Sequence, residues 1–330
     1  MKLSRLGLAA VAIAALALTA CSSPSATPAT DASASASASA AFPATVSTKF
    51  GDVTIDKAPE RIVALGWGDA ETALALGAQP VGASDWLGFG GEGVGPWAKG
   101  LYTTAPKIIE TLEPSYEAIA ALKPDLILDT KSSGDQARYD RLSSIAPTIG
   151  VPKDGDSYLT TPTEQMTMIS TALGKKAEGE TLLAAVEKEY ADAKAAHPEW
   201  AGKTVAAATK TSEGWGAYIE GSDRVTFLEK LGFVQSPTIA ALKPNASGFS
   251  VDISSEKLDL LDADLVVAFP IFIDETEITG DALWKAIPAV AAGHSVVISG
   301  DVSSAYSLGT TLATKYAIDT LVPLIDKAVG

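Results

Sequence analysis

The sequence predicts an α/β protein made of two α/β lobes, each with a parallel-type sheet, joined by a single long interlobe helix. Three observations support this fold class. Short apolar segments alternate with helical segments from residue 61 onward, which is typical of parallel sheets. One block of the first half recurs in the second half. Between the halves, residues 163–197 form a helical stretch rich in Ala, Leu, Glu and Lys.

The first lobe is predicted over residues 46–162. Its alternating pattern indicates strands at residues 61–65, 80–83, 125–128 and 148–149, and helices at residues 69–76, 115–122 and 136–144. Gly77 directly follows the first of these helices, and glycine is typical of a helix end.

The connector helix and the second lobe are predicted at residues 163–197 and 198–330. Gly174 interrupts the helical pattern of the connector, and His197-Pro198 ends it, because proline cannot continue a helix. The second lobe has predicted strands at residues 204–208, 264–268 and 295–298, and predicted helices at residues 225–231 and 308–329.

An internal repeat relates the two lobes, because residues 115–128 match residues 254–267 offset by offset. In each copy a Ser, Ser115 or Ser254, can cap a helix, and a Glu lies two residues after it. An Asp then precedes an apolar strand. Glu117 and Glu256 therefore lie in the first turn of a helix, where the helix dipole stabilises an anion by up to about 1 kcal/mol. That stabilisation is one sufficient explanation for both carboxylates, and recognition of a partner is the other.

Residues 1–20 are predicted to be a secretory signal peptide. Lys2 and Arg5 precede an apolar run at residues 6–18, which is shorter than the roughly 20 residues that span a membrane. Cys21, the single cysteine of the chain, directly follows this segment. The stretch Leu18-Thr19-Ala20-Cys21 resembles the bacterial lipobox, which implies lipidation of Cys21.

Residues 21–45 are predicted to be a disordered tether, since they are Ser, Ala, Thr and Pro with almost no bulky apolar side chain. The mature protein is therefore expected outside the cytoplasm, lipid-anchored on the outer face of the cell membrane. The host surface can be that of a Gram-positive cell or a periplasm.

Charge and composition exclude several classes of function. The net charge of −15 repels phosphate backbones, so no nucleic-acid partner is expected. The only histidines, His197 and His294, lie at a helix end and in a turn, so no direct metal site is expected. Residues 88–93 fit the dinucleotide-binding pattern, but Gly95-Pro96 follow where a helix should begin. We therefore expect no enzyme, and catalysis on an α/β scaffold is the distant alternative.

From residue 58 onward the chain resembles the class III periplasmic binding proteins, the siderophore and cobalamin receptors of ABC importers. The resemblance rests on residues 58–65, 76–82, 117–128, 256–267 and 284–293. It implies a monomer with two lobes around a shallow cleft and one interlobe helix that limits hinge motion. It also implies delivery of the ligand to a permease dimer with its ATPase. Glu117 and Glu256 match the exposed glutamates that meet permease arginines in that family.

Loops that follow the strands should line the cleft, because ligands of open α/β sheets bind beyond the carboxyl ends of the strands. These loops contain most of the large side chains, which favours a bulky and partly apolar ligand. For each aromatic ring, packing within its own lobe is an equally good explanation. The candidate ligand-binding residues are Trp67, Trp86, Tyr102, Lys131, Trp215, Tyr218, Arg224, Phe272 and Tyr306.

The cargo predicted from these residues is a ferric siderophore of hydroxamate or mixed type. A tricatecholate complex is a trianion that calls for several arginines, whereas the predicted cleft offers Arg224 and Lys131. Iron would enter only as a chelate, so no cofactor is expected. Cobalamin or haem remains the alternative cargo of the same fold; of the possible axial ligands of haem, only tyrosine is available in the cleft.

Replacing Cys21 with Ala should move the protein from the membrane fraction into the medium, because two or three acyl chains are what gives stable attachment. Fractionation of cells expressing the wild-type protein and the variant measures this. A variant that stays membrane-bound contradicts the lipidation of Cys21.

Overall fold

The computed structural model describes residues 41–155 and 157–330. The predicted signal peptide, Cys21 and most of the predicted tether lie outside these residues. In the two described ranges, no helix is both long enough and apolar enough to cross a membrane.

The described chain begins with a β-hairpin, which the sequence pattern did not reveal. Strands β1 (Ala44–Thr48) and β2 (Gly51–Ile55) pair antiparallel, and Val46 and Ile55 are buried in the core of the first lobe. Because β1 begins at Ala44, the tether ends earlier than the predicted residue 45.

The first lobe contains a five-stranded parallel sheet. Its strands are β3 (Ile62–Ala64), β4 (Gly82–Ser84), β5 (Lys107–Ile109), β6 (Leu126–Leu128) and β7 (Thr148–Ile149), arranged in the order β5-β4-β3-β6-β7. The helices that accompany them are α1 (Asp69–Ala75), α2 (Tyr116–Ala121) and α3 (Gln136–Ser143). A 3₁₀ turn at Pro96–Ala98 follows the glycine-rich loop.

The predicted connector over residues 163–197 is two helices rather than one, and they are divided at Gly174, where the sequence pattern is interrupted. Helix α4 (Pro162–Ala172) begins with a capping box and packs Met166 and Ile169 into the first core. Gly174 then adopts a left-handed conformation, with φ of 66°, that ends this helix. Helix α5 (Lys176–Ala196) contacts both cores, because its Leu182 and Leu183 pack on the first and its Tyr190 is buried in the second.

The second lobe contains a mixed sheet, which corrects the prediction of a parallel one. Its main strands are β8 (Thr204–Thr211), β9 (Gly214–Tyr218), β11 (Ser250–Ile253), β12 (Leu265–Pro270) and β13 (Ser295–Val297), in the order β11-β9-β8-β12-β13. β10 (Val234–Gln235) pairs with β8. Strand β9 is antiparallel to both of its neighbours, because a tight turn joins it directly to β8.

Seven helices and two 3₁₀ segments complete the described part of this lobe. They are the 3₁₀ segments Pro198–Trp200 and Ser255–Leu261 and the helices α6 (Asp223–Lys230), α7 (Pro237–Ala240), α8 (Thr276–Thr279), α9 (Ala282–Lys285), α10 (Pro288–Ala291), α11 (Gly300–Leu308) and α12 (Thr311–Val329).

The repeated aspartates have the same role in both lobes. Asp125 accepts hydrogen bonds from the backbone N–H groups of Glu60 and Arg61, at 2.9 and 2.8 Å, just before β3. Asp264 accepts from the backbone N–H and the hydroxyl of Thr204, at 2.7 and 2.8 Å, at the start of β8. Each carboxylate therefore fixes the start of a neighbouring central strand, and the bonds from Thr204 lower the pKa of Asp264.

The helix starts of the repeat differ between the lobes. The hydroxyl oxygen of Ser115 accepts from the N–H of Ala118 at 3.3 Å and caps α2. The predicted equivalent, Ser254, makes no such bond, and the helix after it is a 3₁₀ segment interrupted at Lys257. The predicted cap is therefore wrong in the second lobe.

Asp69 joins three segments of the first lobe beneath the sheet edge. Its buried carboxylate accepts from the N–H of Gly66 and of Thr130, each at 3.0 Å, from the Thr130 hydroxyl at 2.5 Å and from Nε2 of Gln165 at 2.7 Å. A Cβ atom at residue 66 would lie 2.3 Å from Oδ2 of Asp69, so only glycine fits there. The loops after β3 and β6 are therefore fixed to each other and to α4.

Replacing Asp69 with Ala should lower the free energy of unfolding at pH 7 by about 2–4 kcal/mol, because buried donors lose their acceptor. Burial raises the pKa of Asp69 from 3.8 to about 6, against the opposing effect of the hydrogen bonds from Thr130 and Gln165. The folded protein therefore binds this proton more tightly than the unfolded chain, and the stabilisation linked to it is lost as the pH rises from about 4 to 6.

The loss of unfolding free energy caused by Asp69→Ala should consequently be larger at pH 4 than at pH 7, by up to about 3 kcal/mol. Chemical denaturation of the wild-type protein and the variant at both pH values measures the difference. Exposed Asp56 provides the control, since Asp56→Ala should change stability by less than about 0.5 kcal/mol at either pH. A deficit that grows from pH 4 to pH 7 contradicts the raised pKa.

Candidate functional site: the interlobe cleft

A cavity of about 760 Å³ lies between the two lobes. The first lobe contributes Trp67, Asp85, Trp86, Leu87 and residues 110–113 to its wall, and the second contributes Arg224, residues 269–272, Ser303, Ser304 and Ser307. A narrow crevice that shares Trp67, Arg224 and Ser307 with the cavity extends towards Lys131 and Tyr158. The wall thus comes from the loops after β3, β4, β5 and β12 and from two helices of the second lobe.

A stack of three aromatic rings forms the first-lobe side of the cleft. The Trp67 ring lies 4.0 Å from the Trp86 ring and 4.1 Å from the Tyr158 ring, with interplanar angles of 7° and 24°. Two rings at this spacing cannot share one face, so Trp67 is covered on both faces. The stack is a rigid apolar surface that suits a bulky ligand.

Arg224 is the unpaired cation of the cleft. Its guanidinium lies 4.6 Å above the Tyr218 ring, and the Tyr306 hydroxyl donates to its backbone carbonyl at 2.7 Å. Among the described residues it forms no ion pair, and its buried Nε has no hydrogen-bond acceptor. Its N–H groups therefore remain available to oxygen atoms of a ligand.

Buried polar contacts connect the two lobes beside the cleft. Lys131 forms an ion pair with Asp223, and the two side chains are only 6% and 14% exposed. Glu71, in α1, accepts from the Thr310 hydroxyl at 2.7 Å, from Nε1 of Trp97 at 2.8 Å and from a backbone N–H at 3.0 Å. Burial raises the pKa of Glu71, and these bonds oppose that rise.

Four predicted ligand-binding residues do not reach the cavity, and their assignment is corrected. Trp215 and Tyr218 lie in strand β9 rather than in a loop; Trp215 is 3% exposed and stacks on Trp284 in the core. Tyr306 lies in α11 and is buried in the second lobe, and Tyr102 is buried in the first lobe. Tyr218 and Tyr306 contribute indirectly, because both contact Arg224.

The other five candidates lie at the cleft. Trp67, Trp86, Arg224 and Phe272 line the cavity, and Lys131 lines the crevice beside it. Phe272 is 93% exposed and has a φ of 55°, so its ring extends from the rim into solvent. Contact of these side chains with a ligand stays a prediction.

The sequence interpretation missed several residues of the cleft. Glu110 and Glu113 follow β5, a strand of only three residues that the apolar pattern did not reveal. Had β5 been recognised, the rule that strand-end loops line the cleft would have pointed to both. Tyr158 lies in the last loop before α4, and no pattern marked it.

The predicted docking residues lie outside the cleft. Glu117 is exposed in the first turn of α2, and Glu256 is exposed in the 3₁₀ segment of the second lobe. Arg141 lies 5.1 Å from the Tyr116 ring and lines an outer pocket together with Glu117 and Glu113, and it does not line the cavity itself.

One group of three potential metal ligands exists in the described part of the chain. It consists of His197, Glu199 and Asp326, with Nδ1 of His197 at 3.0 Å from Glu199 and 3.4 Å from Asp326. None of these residues lines the cleft, so the group has no part in the site.

Known proteins support the family that the sequence pattern indicated. The family described as "Periplasmic binding protein" matches residues 62–302. The probable siderophore-binding lipoprotein YfiY of Bacillus subtilis is 29% identical over 279 residues, which cover 80% of this chain and 81% of that protein.

Solved structures agree with this result. A periplasmic solute binding protein from Mycobacterium smegmatis has a TM-score of 0.75 and 28% identity, covering 87% of this chain and 99% of that one. PiaA of Streptococcus pneumoniae in complex with ferrichrome has a TM-score of 0.73 and 28% identity, covering 86% and 98%. The α/β fold class and the family prediction are therefore confirmed, and the chain belongs to the periplasmic binding protein family, with the two-lobed fold of its class III members.

Proposed function

We propose that this protein is an extracytoplasmic, lipid-anchored receptor that captures a ferric siderophore and delivers it to an ABC permease. The observation that carries the proposal is the cleft itself, in which a rigid aromatic stack faces an arginine without a partner. The siderophore-binding name of a relative and the ferrichrome complex of a structural neighbour support the same class of ligand.

The residues of the cleft suit a complete iron chelate better than a bare ion. The aromatic stack offers area to the organic part of a siderophore. Arg224 can donate hydrogen bonds to the hydroxamate oxygens that carry partial negative charge next to iron. No histidine is among the described residues of the cavity wall, and the proposal leaves the coordination of iron to the siderophore. No reaction is required of the protein beyond binding and release.

Docking on the permease is assigned to Glu117 and Glu256. Both carboxylates are exposed, one on each lobe, and both lie outside the ligand cleft. Two related lobes that each present a carboxylate suit a two-fold permease, because Arg–carboxylate pairs fix orientation as well as adding affinity.

Titration with ferric hydroxamate, catecholate and mixed siderophores, haem and cobalamin tests the ligand class. We expect a ferric hydroxamate or mixed complex to bind, and Trp86→Ala or Arg224→Gln to weaken that binding about tenfold or more. Isothermal titration calorimetry measures the affinities. Trp215→Phe is the matched control, and it should leave the affinity unchanged because Trp215 lies in the core.

Two outcomes of that titration are distinguishable. Binding of haem or cobalamin alone would keep the transport role and overturn the siderophore. Equal loss of affinity in Trp86→Ala and in Trp215→Phe would show that the cleft assignment is wrong.

Glu117→Gln and Glu256→Gln should each reduce ligand-dependent ATPase stimulation of the reconstituted permease several-fold, and the double variant should reduce it further. Affinity for the siderophore should not change, since neither residue lines the cleft. The control is the double variant Glu178→Gln and Glu213→Gln, which removes two exposed carboxylates elsewhere. Full stimulation by the Glu117 and Glu256 double variant would contradict the docking role.

A further inference from the structure

The ionisable side chains of the cavity wall are unbalanced in charge. Of the residues that the structure describes, Asp85, Glu110 and Glu113 line the cavity together with one cation, Arg224. None of the three carboxylates forms an ion pair with any described residue. Asp85 accepts from the backbone N–H groups of Phe89 and Gly90 at 2.9 and 2.7 Å, which fixes it at the start of the glycine-rich loop.

Two other basic residues near the cleft, Lys131 and Arg138, are already neutralised. Lys131 is paired with Asp223. Arg138 is 8% exposed, and its guanidinium donates to both oxygens of Asp129, at 2.9 and 2.7 Å. Among the described residues, the cavity wall itself therefore carries three carboxylates and one guanidinium that are not ion-paired, while Arg141 lines the outer pocket that Glu113 also lines.

Buried Arg138 also fixes the position of residues 110–113, which form an acidic rim of the cavity through Glu110 and Glu113. Its Nη1 donates to the backbone carbonyl of Thr111 at 3.1 Å and to that of Leu112 at 3.4 Å. These two residues separate Glu110 from Glu113, so the backbone between the carboxylates is held by a paired, buried side chain. The rim is thus a structured part of the cavity wall. Its two glutamates are half of the four residues, 110–113, that line the cavity there.

We propose that this cleft selects ferric chelates that carry net positive charge, such as a linear trihydroxamate complex with a free ammonium group, over neutral and anionic chelates. The inference rests on the proposed function and specifies its substrate class. Arg224 contacts the oxygens around iron, and Glu110, Glu113 and Asp85 stabilise the ammonium at the other end of the ligand. The net charge of −15 adds a long-range field of the same sign.

A series of three ferric chelates that differ at one terminal amine, and thereby in net charge, tests the inference. It comprises the linear trihydroxamate with a free amine, its N-acetylated form and its N-succinylated form, with net charges of about +1, 0 and −1 from the single amine position. Affinity should fall in that order, about fivefold to tenfold per unit of charge at low ionic strength. The differences should shrink at high salt, because the Debye length falls from about 10 Å at 0.1 M to about 3 Å at 1 M.

The double variant Glu110→Gln and Glu113→Gln should bring the three affinities to within about threefold of one another. The matched control, Glu178→Gln with Glu180→Gln, changes the net charge equally but lies on α5, outside the cavity wall, and it should keep the full order. Loss of the order in both double variants would assign the selectivity to the overall field and overturn the role of the rim.

The remaining outcomes separate this inference from the proposed function. Equal or reversed affinities for the three chelates overturn the charge selectivity while the siderophore function stands. If only an anionic chelate such as ferric citrate or a ferric catecholate binds, the same conclusion follows. If no ferric chelate binds, the proposed function fails together with the inference.

Discussion

The buried carboxylate of Asp69 is the interaction on which the geometry of the cleft depends. A carboxylate that is buried away from water needs hydrogen-bond donors around it, and here Gly66, Thr130 and Gln165 provide them. Two of those donors belong to the loops that follow β3 and β6, and these loops carry Trp67 and Lys131 into the cleft. Gln165 also donates to the backbone carbonyl of Trp67 at 2.8 Å. The aromatic stack is thus positioned by polar atoms beneath it before any ligand is present.

The parts of the fold that the sequence predicts are those that local patterns encode. The alternation of strands and helices follows from the periodicity of apolar residues. Asp125 and Asp264 are repeated because each fixes the start of a central strand. The failures have equally local causes. Strand β5 is three residues long, too short for a periodic signal. Strand β9 has the sequence Gly-Trp-Gly-Ala-Tyr, and its two glycines indicate a loop until pairing with β8 and β11 is known.

The same causes explain how much of the cleft could be predicted. Trp67 and Trp86 follow strands that were recognised, so their positions were predictable. The prediction that Trp215 lies in the cleft is wrong because the glycine-rich sequence of β9 is typical of a loop although the segment is a strand. Lys131 was found, but its neutralisation was not, because its partner Asp223 is 92 residues away and on the other lobe. Charge balance in a cleft depends on such distant pairs, and no local pattern encodes them.

The pairs that join the lobes also bear on how the cleft discriminates between ligands. Separating the lobes would break the buried Lys131–Asp223 ion pair and would remove the Thr310 hydroxyl from Glu71, whose other two donors belong to the first lobe. Gly68 adds a close approach, since a Cβ atom there would lie 2.6 Å from Cγ2 of Thr310. These contacts keep the width of the cleft nearly fixed. A cleft of fixed width would discriminate between ligands by the shape and charge of its preformed wall rather than by closing around the ligand. Under the proposed function, its selectivity would be decided by the few side chains that remain unpaired there, Arg224 on one side and the acidic rim on the other.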